Sequence, residues 1–302
     1  MKKFILEEFI MPTQKELFSM LCEIFGKKLI SLEDSFILVK GEAPIMLIAH
    51  LDTVHKKPVK QICVSNDGNI LMSPQGIGGD DRCGVYALVK AYNLSPVKPW
   101  LLFTCDEEIG GVGAGAFCKA SREGVLPKEL RKLNCLVEID RKGSDDAVYY
   151  NCANDEFEAY ITSKGFKTDI GSYSDICDIA PELGVAAVNL SSGYYNAHTL
   201  HEYINRKQLE TTIEKVIEIV EESTKPEFPV YWYIENNHSY NKLDGWAFPD
   251  FGEEIALASI PEEIREAYIE LLDIYSPYEL EEYRADFGDE CILKIYEAEF
   301  GL

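Results

Sequence analysis

Several short groups of histidine and acidic residues in this sequence have the types and spacing of metal ligands. His50 lies two residues before Asp52, and Asp80 and Asp81 are adjacent within GIGGDDRCG, a stretch with four glycines. Further groups follow at Asp106-Glu107-Glu108, Asp140 and His198. A surface turn, a helix cap or solvated loop acids explain each group alone about as well. Taken together, the groups predict one set of ligands for two metal ions.

The first pair, His50 and Asp52, directly follows a short apolar run. In extended backbone, residues two apart face the same side. His50 can therefore bind a metal ion while Asp52 fixes the orientation of its ring. His55 is an alternative ligand, but it lies further along, beside Lys56 and Lys57, and we expect it to be solvated.

The three consecutive carboxylates Asp106, Glu107 and Glu108 repel one another unless a positive charge is close to them. A bound cation would remove this repulsion. Because neighbouring side chains point apart in extended backbone, one glutamate can bind the metal while the other accepts a proton from the attacking water.

The last two ligand positions have alternatives. Asp140 ends a third apolar run, and Glu138 lies two residues further inside that run, where it is less well placed. His198 ends a loop, and His201 could bind in its place. Two histidines with several carboxylates predict zinc, with cobalt or manganese as alternatives. Two such ions about 3.5–4 Å apart, bridged by a carboxylate, can activate water and polarise a carbonyl.

Short unbroken apolar runs supply the elements that position these groups. The runs cover residues 45–49, 100–104, 135–139 and 185–190, and the acidic residues and histidines follow them. Such runs are typical of strands buried on both faces, and helical patterns alternate with them. We expect an α/β fold with a mixed, mainly parallel sheet flanked by helices on both faces. In such sheets the site lies beyond the carboxyl ends of the strands.

Other local patterns predict further elements. Thr13 and Glu16 form a capping box before a first helix, and residues 62–64 and 69–72 predict a hairpin. Residues 147–151 and 157–162 alternate like antiparallel strands. The apolar spacing over residues 206–223 predicts a helix.

Composition restricts the classes of function. A net charge of −23 over 302 residues disfavours nucleic acid and anionic membranes as partners. No apolar run approaches the roughly 20 residues of a membrane span. The nine cysteines are scattered without C-x-x-C pairs, which favours reduced thiols and a cytoplasmic location.

The last quarter of the chain differs in character from the rest. Residues 226–302 contain 19 acidic and 4 basic residues, and they carry the aromatic residues Trp232, Trp246, Phe248 and Phe251. We expect a di-metal catalytic domain over residues 1–225. Residues 226–302 should form a small acidic, helical segment, docked on the core by its aromatic side chains.

Five blocks of the sequence resemble, in order, those of the co-catalytic di-zinc exopeptidases, a group with aminopeptidase, carboxypeptidase, tripeptidase and aminoacylase members. The blocks are AHLDTV, GGDDRCG, CDEEIGGVGA, VEIDRKG and the closing block that runs from SDICDIAP to NAHTLHEYI. They cover roughly residues 45–223. Ala186 stands where proline is usual in the group.

The resemblance implies a role for each residue. It makes Asp80 the bridging ligand of the two metal ions. The other four ligands that it implies are His50 and Asp140 for one ion, and Glu108 and His198 for the other. It makes Glu107 the general base, and it makes Asp52 the residue that orients His50. The preference for Asp80 over Asp81 as the bridging residue comes mainly from the resemblance.

The resemblance also implies an activity. Carboxypeptidase-like and tripeptidase-like members carry an inserted lid domain, whereas 57 residues separate Asp140 from His198 here, as in lidless, aminopeptidase-like members. We expect a zinc-dependent exopeptidase, namely an aminopeptidase that cleaves short peptides. The alternatives are deacylation of N-acyl amino acids, dipeptidase or carboxypeptidase activity, or a non-catalytic binding protein that keeps the fold. A small peptide or N-acyl amino acid is the expected partner, and the oligomeric state is open.

Overall fold

A computed structural model describes residues 4–152, 154–171, 173–234, 261–271, 280, 283–284 and 288–300, which fall into two compact units, Met1–Glu235 and Asn236–Leu302. The helices of the first unit are α1 (Glu7–Ile10), α2 (Gln14–Phe25), α3 (Gly79–Leu94), α4 (Val112–Arg122), α5 (Asp155–Ser163), α6 (Ile176–Leu183) and α7 (Arg206–Ser223), with 3₁₀ turns at Gly26–Lys28 and Lys128–Lys132. Its strands are β1 (Leu29–Leu32), β2 (Phe36–Val39), β3 (Ile45–His50), β4 (Cys63–Val64), β5 (Ile70–Met72), β6 (Trp100–Thr104), β7 (Cys135–Arg141), β8 (Asp146–Val148), β9 (Lys167–Asp169), β10 (Ala187–Ser191), β11 (Tyr194–Tyr195) and β12 (Tyr203–Asn205).

The main sheet has eight strands in the order β1-β2-β6-β3-β7-β10-β8-β9. Strands β6, β3, β7 and β10 run parallel to one another at its centre. Antiparallel pairing joins β1 to β2, β2 to β6 and β8 to β10, and β9 pairs parallel with β8. The predicted mixed, mainly parallel sheet is therefore confirmed.

The apolar runs form strands because both faces of the sheet are covered. In β3, Ile45, Leu47 and Ala49 join one apolar cluster, while Met46 and Ile48 join another on the opposite face. Helices α2, α3, α5 and α7 contribute to the first cluster, and α4 and α6 contribute to the second. The prediction of helices on both faces is thus confirmed, and burial on both faces accounts for the unbroken apolar sequence.

One predicted strand is wrong. Residues 157–162 lie in α5, which begins after Asn154, whose side chain accepts a hydrogen bond from the Phe157 backbone at 2.9 Å. Phe157 and Ile161 are fully buried and four residues apart, so they share one face of the helix. The N-cap and this spacing outweigh the apparent alternation of apolar residues.

A second, four-stranded sheet has the order β11-β12-β5-β4, with every pair antiparallel. It contains the predicted hairpin, formed by β4 and β5. The sequence did not indicate β11 and β12, which have two and three residues. The described residues between Asp140 and His198 belong to these two sheets and their helices, and they include no separate inserted domain.

Residues 226–234 pack within the first unit. Tyr231 is buried, and its ring lies 4.9 Å from that of Phe157 between centroids. Trp232 forms an isolated antiparallel bridge with Val185, although 62% of Trp232 is exposed.

The described part of the second unit contains α8 (Glu262–Leu271) and α9 (Glu290–Phe300), which share a small apolar cluster that includes Tyr268 and Ile292. Trp246, Phe248 and Phe251 lie outside the described residues, so docking of residues 226–302 stays a prediction. No helix in the described part of the chain has the length and apolar character needed to span a membrane.

Candidate metal centre

The predicted ligands come together at the carboxyl ends of the central parallel strands. His50 is the last residue of β3, and Asp140 is the second-last residue of β7. Glu108 follows the end of β6. Asp80 lies at the start of α3, and His198 lies on the loop between β11 and β12. Adjacent parallel strands place their carboxyl ends at one edge, which is why residues far apart in sequence meet there.

Asp80 lies between two sets of side chains. Its Oδ1 is 3.1 Å from Nε2 of His50, and its Oδ2 is 3.3 Å from Nε2 of His198. Nε2 of His50 is also 3.5 Å from Oδ1 of Asp140. Nε2 of His198 is 3.2 Å from Oε2 of Glu108. The two oxygens of one carboxylate therefore face two different histidines, each with a further acid.

The separations of the donor atoms suit a tetrahedral divalent ion such as zinc. A tetrahedral zinc ion with bonds of about 2.0–2.1 Å to nitrogen and oxygen places its ligand atoms about 3.3–3.4 Å apart. The four separations given above range from 3.1 to 3.5 Å. His50, Asp80 and Glu108 can also place ligand atoms within 4.8 Å of one another. The residues present fit two divalent ions that share Asp80.

Asp81, the neighbour of Asp80, has other partners. Its Oδ2 accepts a hydrogen bond from the His50 backbone at 3.3 Å, and its Oδ1 accepts one from the Gly84 backbone at 2.9 Å. Oxygen atoms of Asp81 can also lie within 4.8 Å of ligand atoms of His50 and Asp140. Asp81 therefore ties the start of α3 to the end of β3, whereas Asp80 faces both histidines.

Glu202 fixes the backbone that carries Asp80, a role that the sequence did not indicate. Its Oε1 accepts a hydrogen bond from the Asp80 backbone at 2.9 Å, and its Oε2 accepts one from the Gly78 backbone at 2.9 Å. At Gly79, a Cβ atom would lie 2.7 Å from Cβ of Tyr194, so only glycine permits this approach.

His55 is not solvated as expected. Its Nε2 lies 2.8 Å from Oε2 of the buried Glu202, and only 8% of its side chain is exposed. The prediction was wrong because the loop that follows β3 folds back onto the glycine-rich stretch. A Cβ atom at Gly76 would lie 2.2 Å from the His55 ring.

Asp52 connects the His50 strand to the glutamate loop. Its Oδ1 lies 3.2 Å from Nδ1 of His50 and accepts a hydrogen bond from the Glu107 backbone at 3.1 Å. Its Oδ2 accepts one from the Glu108 backbone at 3.0 Å. Burial raises the pKa of Asp52, but the hydrogen bond and charge of His50 and these backbone N–H groups hold it below its usual value.

The electrostatics of the site favour positive charge next to its carboxylates. Hydrogen bonds to Asp80 and Glu108 raise the pKa of His198 to about 11. Burial disfavours a charged His50, yet the charge of Asp140 and hydrogen bonds to neighbouring acids hold its pKa well above the usual value. Both shifts favour positively charged histidines beside these acids, and a bound cation would supply the same positive charge.

The remaining acids respond to burial and to one another. Burial raises the pKa of Glu107 to about 9; the charge of His50 opposes the rise and that of Asp140 adds to it. Burial and the charge of Asp80 raise the pKa of Asp140 to about 7. Burial is the larger cause of both shifts, and the neighbouring carboxylates add to it.

A buried polar network behind Asp140 was also not predicted. Glu138, the alternative ligand, is fully buried in β7 and accepts a hydrogen bond from Ser174. Asn189 Nδ2 donates to Ser174 Oγ at 3.1 Å, and Asn189 Oδ1 accepts from the Asp140 backbone at 2.8 Å. His201, the other alternative, is exposed. In the sequence, Ser174 and Asp175 at the start of the closing block could have indicated polar contacts of this kind.

Comparisons with known proteins place the fold. Aminopeptidase PepT from Bacillus cereus has a TM-score of 0.54 and 14% identity, with coverage of 73% of this chain and 97% of that chain. A tripeptidase from Staphylococcus aureus has a TM-score of 0.54 and 15% identity, with coverage of 72% and 96%. An aminopeptidase from the archaeon Desulfurococcus kamchatkensis has a TM-score of 0.53 and 15% identity, with coverage of 72% and 93%.

At these identities the likeness establishes the fold alone. A scan of the sequence against family models gives no match, and neither does a sequence search of curated proteins. The resemblance to the zinc exopeptidases is therefore confirmed as a resemblance of fold.

Proposed function

We propose that this chain is a zinc-dependent aminopeptidase that cleaves short peptides. The observation that carries the proposal is the position of Asp80, whose two oxygens lie 3.1 and 3.3 Å from Nε2 of His50 and His198. A carboxylate in this position suits a bridge between two ions. Two bound zinc ions would make water more acidic and polarise the scissile carbonyl.

The chain's own residues would divide the remaining work. Asp140 and Glu108 would complete the two ligand sets, each on the histidine that it already approaches. Asp52 would hold the Nδ1 proton of His50 and so leave Nε2 free to bind. Bound cations would lower the raised pKa of Glu107. Its carboxylate would then accept the proton of the attacking water and deliver it to the leaving amine. The Asp52 hydrogen bond to its backbone places Glu107 beside the ligands.

The acidic surroundings favour an aminopeptidase over an enzyme that binds a free carboxylate at the metals. Glu107, Glu108 and Asp140 would repel a carboxylate but attract the α-amino group of a peptide. The free state of all nine cysteines supports a reducing, cytoplasmic location for the enzyme.

The test compares amino-acid 4-nitroanilides with N-acetyl amino acids as substrates, with and without a chelator. We expect release of nitroaniline, its loss with the chelator and its recovery with added zinc. Hydrolysis of N-acetyl amino acids alone would indicate a deacylase. Zinc binding without hydrolysis of either would indicate a non-catalytic binding protein.

A further inference from the structure

A pocket of about 330 Å³ lies beside the candidate metal centre, and the proposed function gives it no role. Asp52, whose carboxylate holds His50, forms part of its wall. The rest of the lining comes from the end of α1 and the turn that follows it, from the segment after β3, from the glycine-rich stretch and the start of α3, and from Asp106 after β6. The pocket and the metal ligands are therefore separated by a single side chain.

Arg82 lines this pocket and is almost fully buried. One terminal nitrogen donates to the carbonyl oxygens of Phe9 and Pro12, at 3.0 and 2.8 Å, while its Nε has no hydrogen-bond partner. Asp52 and Asp81 act on its charge from a distance, but neither forms an ion pair with it. A buried guanidinium with neutral partners retains a charge that an anion would balance.

Two further cations, Lys56 and Lys57, line the same pocket. Neither forms an ion pair or a side-chain hydrogen bond with any residue that the structure describes. Three cations without a carboxylate partner therefore surround one cavity in a chain of net charge −23.

The two acids of the pocket are engaged by other donors. Asp52 accepts hydrogen bonds from the Glu107 and Glu108 backbones, in addition to its contact with His50. Oδ1 of Asp106 accepts a hydrogen bond from Nε2 of Gln14 at 2.9 Å. Neither acid forms an ion pair with Arg82, Lys56 or Lys57. The positive charge of these three side chains is therefore available to a ligand.

We propose that this pocket binds the carboxylate group of a small ligand. Its volume is near the lower end of the roughly 300–1,000 Å³ usual for ligand sites, which suits a molecule of amino-acid or dipeptide size. The carboxylate has two candidate sources: the carboxyl end of a peptide substrate, or a separate small carboxylic acid. The first source rests on the proposed function, and the second is independent of it.

The test measures binding of N-acetylglycine and of its neutral amide to the full-length, zinc-loaded protein by ligand-observed NMR. Charge-assisted hydrogen bonds predict that the acid binds about tenfold or more tightly than the amide. The double variant Lys56→Ala/Lys57→Ala should lose most of this preference. Lys60→Ala is the matched control, because Lys60 is exposed in the same segment but does not line the pocket.

Equal binding of acid and amide by the native protein would overturn the proposal. So would an acid preference that the double variant keeps in full, because the carboxylate would then bind elsewhere, as at the metal ions. A preference lost in the double variant and kept in Lys60→Ala supports the pocket.

A second measurement identifies the source by comparing kcat/KM for a tripeptide and for its carboxyl-terminal amide. A preference for the free acid that falls in the double variant assigns the pocket to the substrate. Equal rates, with binding of N-acetylglycine intact, assign it to a separate acid. Hydrolysis of neither peptide would overturn the proposed function, while the NMR measurement still decides on the pocket.

Discussion

Asp52→Asn tests the link between the ligands and the loop that carries the base. Asp52 is the acceptor for both backbone N–H groups of Glu107 and Glu108 and for the ring of His50. An amide of the same shape keeps one oxygen and replaces the other with an NH₂ group, which cannot accept a hydrogen bond.

Either orientation of the new amide is unfavourable. With NH₂ in place of Oδ2, two donors face each other at Glu108. With NH₂ in place of Oδ1, two donors face each other at Glu107, and His50 is driven to the tautomer that carries its proton on Nε2. In that tautomer, Nε2, the ring nitrogen that faces Asp80 and Asp140, cannot bind a metal ion.

The expected loss follows from one charge-assisted hydrogen bond, about 1.5–3 kcal/mol, which corresponds to roughly a 10- to 100-fold change. Zinc affinity, measured by competition with a chromophoric chelator, and kcat/KM at limiting zinc should each fall by about that factor. Excess zinc should restore part of the activity. Asp34→Asn is the control, since Asp34 is exposed and asparagine accepts its positive φ of 57°. Native zinc affinity and activity in Asp52→Asn would refute the reasoning.

Three further outcomes are expected. Glu107→Gln should lower kcat by about 10²–10⁴-fold at unchanged zinc content, measured by metal analysis, because the amide cannot accept the proton; native kcat would assign the base to another group. Zinc binding at pH 7 should release two or more protons, measured by calorimetry in buffers of different ionisation enthalpy, since the pKa of His198 is about 11, that of His50 is also raised and that of Asp140 is about 7. Affinity should therefore rise with pH, and enthalpies independent of the buffer would contradict this. A chain that ends after Ser223 should have a free energy of unfolding about 3–5 kcal/mol lower than one that ends after Ile234, measured by urea denaturation, because it lacks the buried Tyr231 ring; equal free energies would show that this ring adds no stability.

The main sheet was predictable because its central strands are buried on both faces. In β3, every residue from Ile45 to His50 is buried, and such a run is distinct from the patterns of surface helices and edge strands. The acids and His50 at the strand ends followed from the same rule. The predicted strand over residues 157–162 was wrong because Phe157 and Ile161, four residues apart, fit an alternating strand pattern as well as the helical spacing of α5.

The contacts that organise the site were less predictable because they join distant short segments. His55 and Glu202 are 147 residues apart, and nothing in the sequence indicates that they meet, although Glu202 stands in the closing block. The pocket that Arg82, Lys56 and Lys57 line is formed by the turn before α2, the segment after β3 and the start of α3, among other segments. Helix and strand propensities do not indicate such contacts between distant segments, because these contacts depend on tertiary packing.

The second sheet explains how Asp80 keeps its place between the two histidines. The loop from β11 to β12 carries His198 near its start and Glu202 at its end, and β12 pairs with β5, which precedes the glycine-rich stretch. The same loop therefore supplies one candidate ligand directly and, through the Glu202 hydrogen bond to the Asp80 backbone, positions the candidate bridge. A shift of this loop would move His198 and Asp80 together, while His50 is held separately by Asp52. The two histidines are thus carried by different sheets, and Asp80 is the side chain that lies close to both.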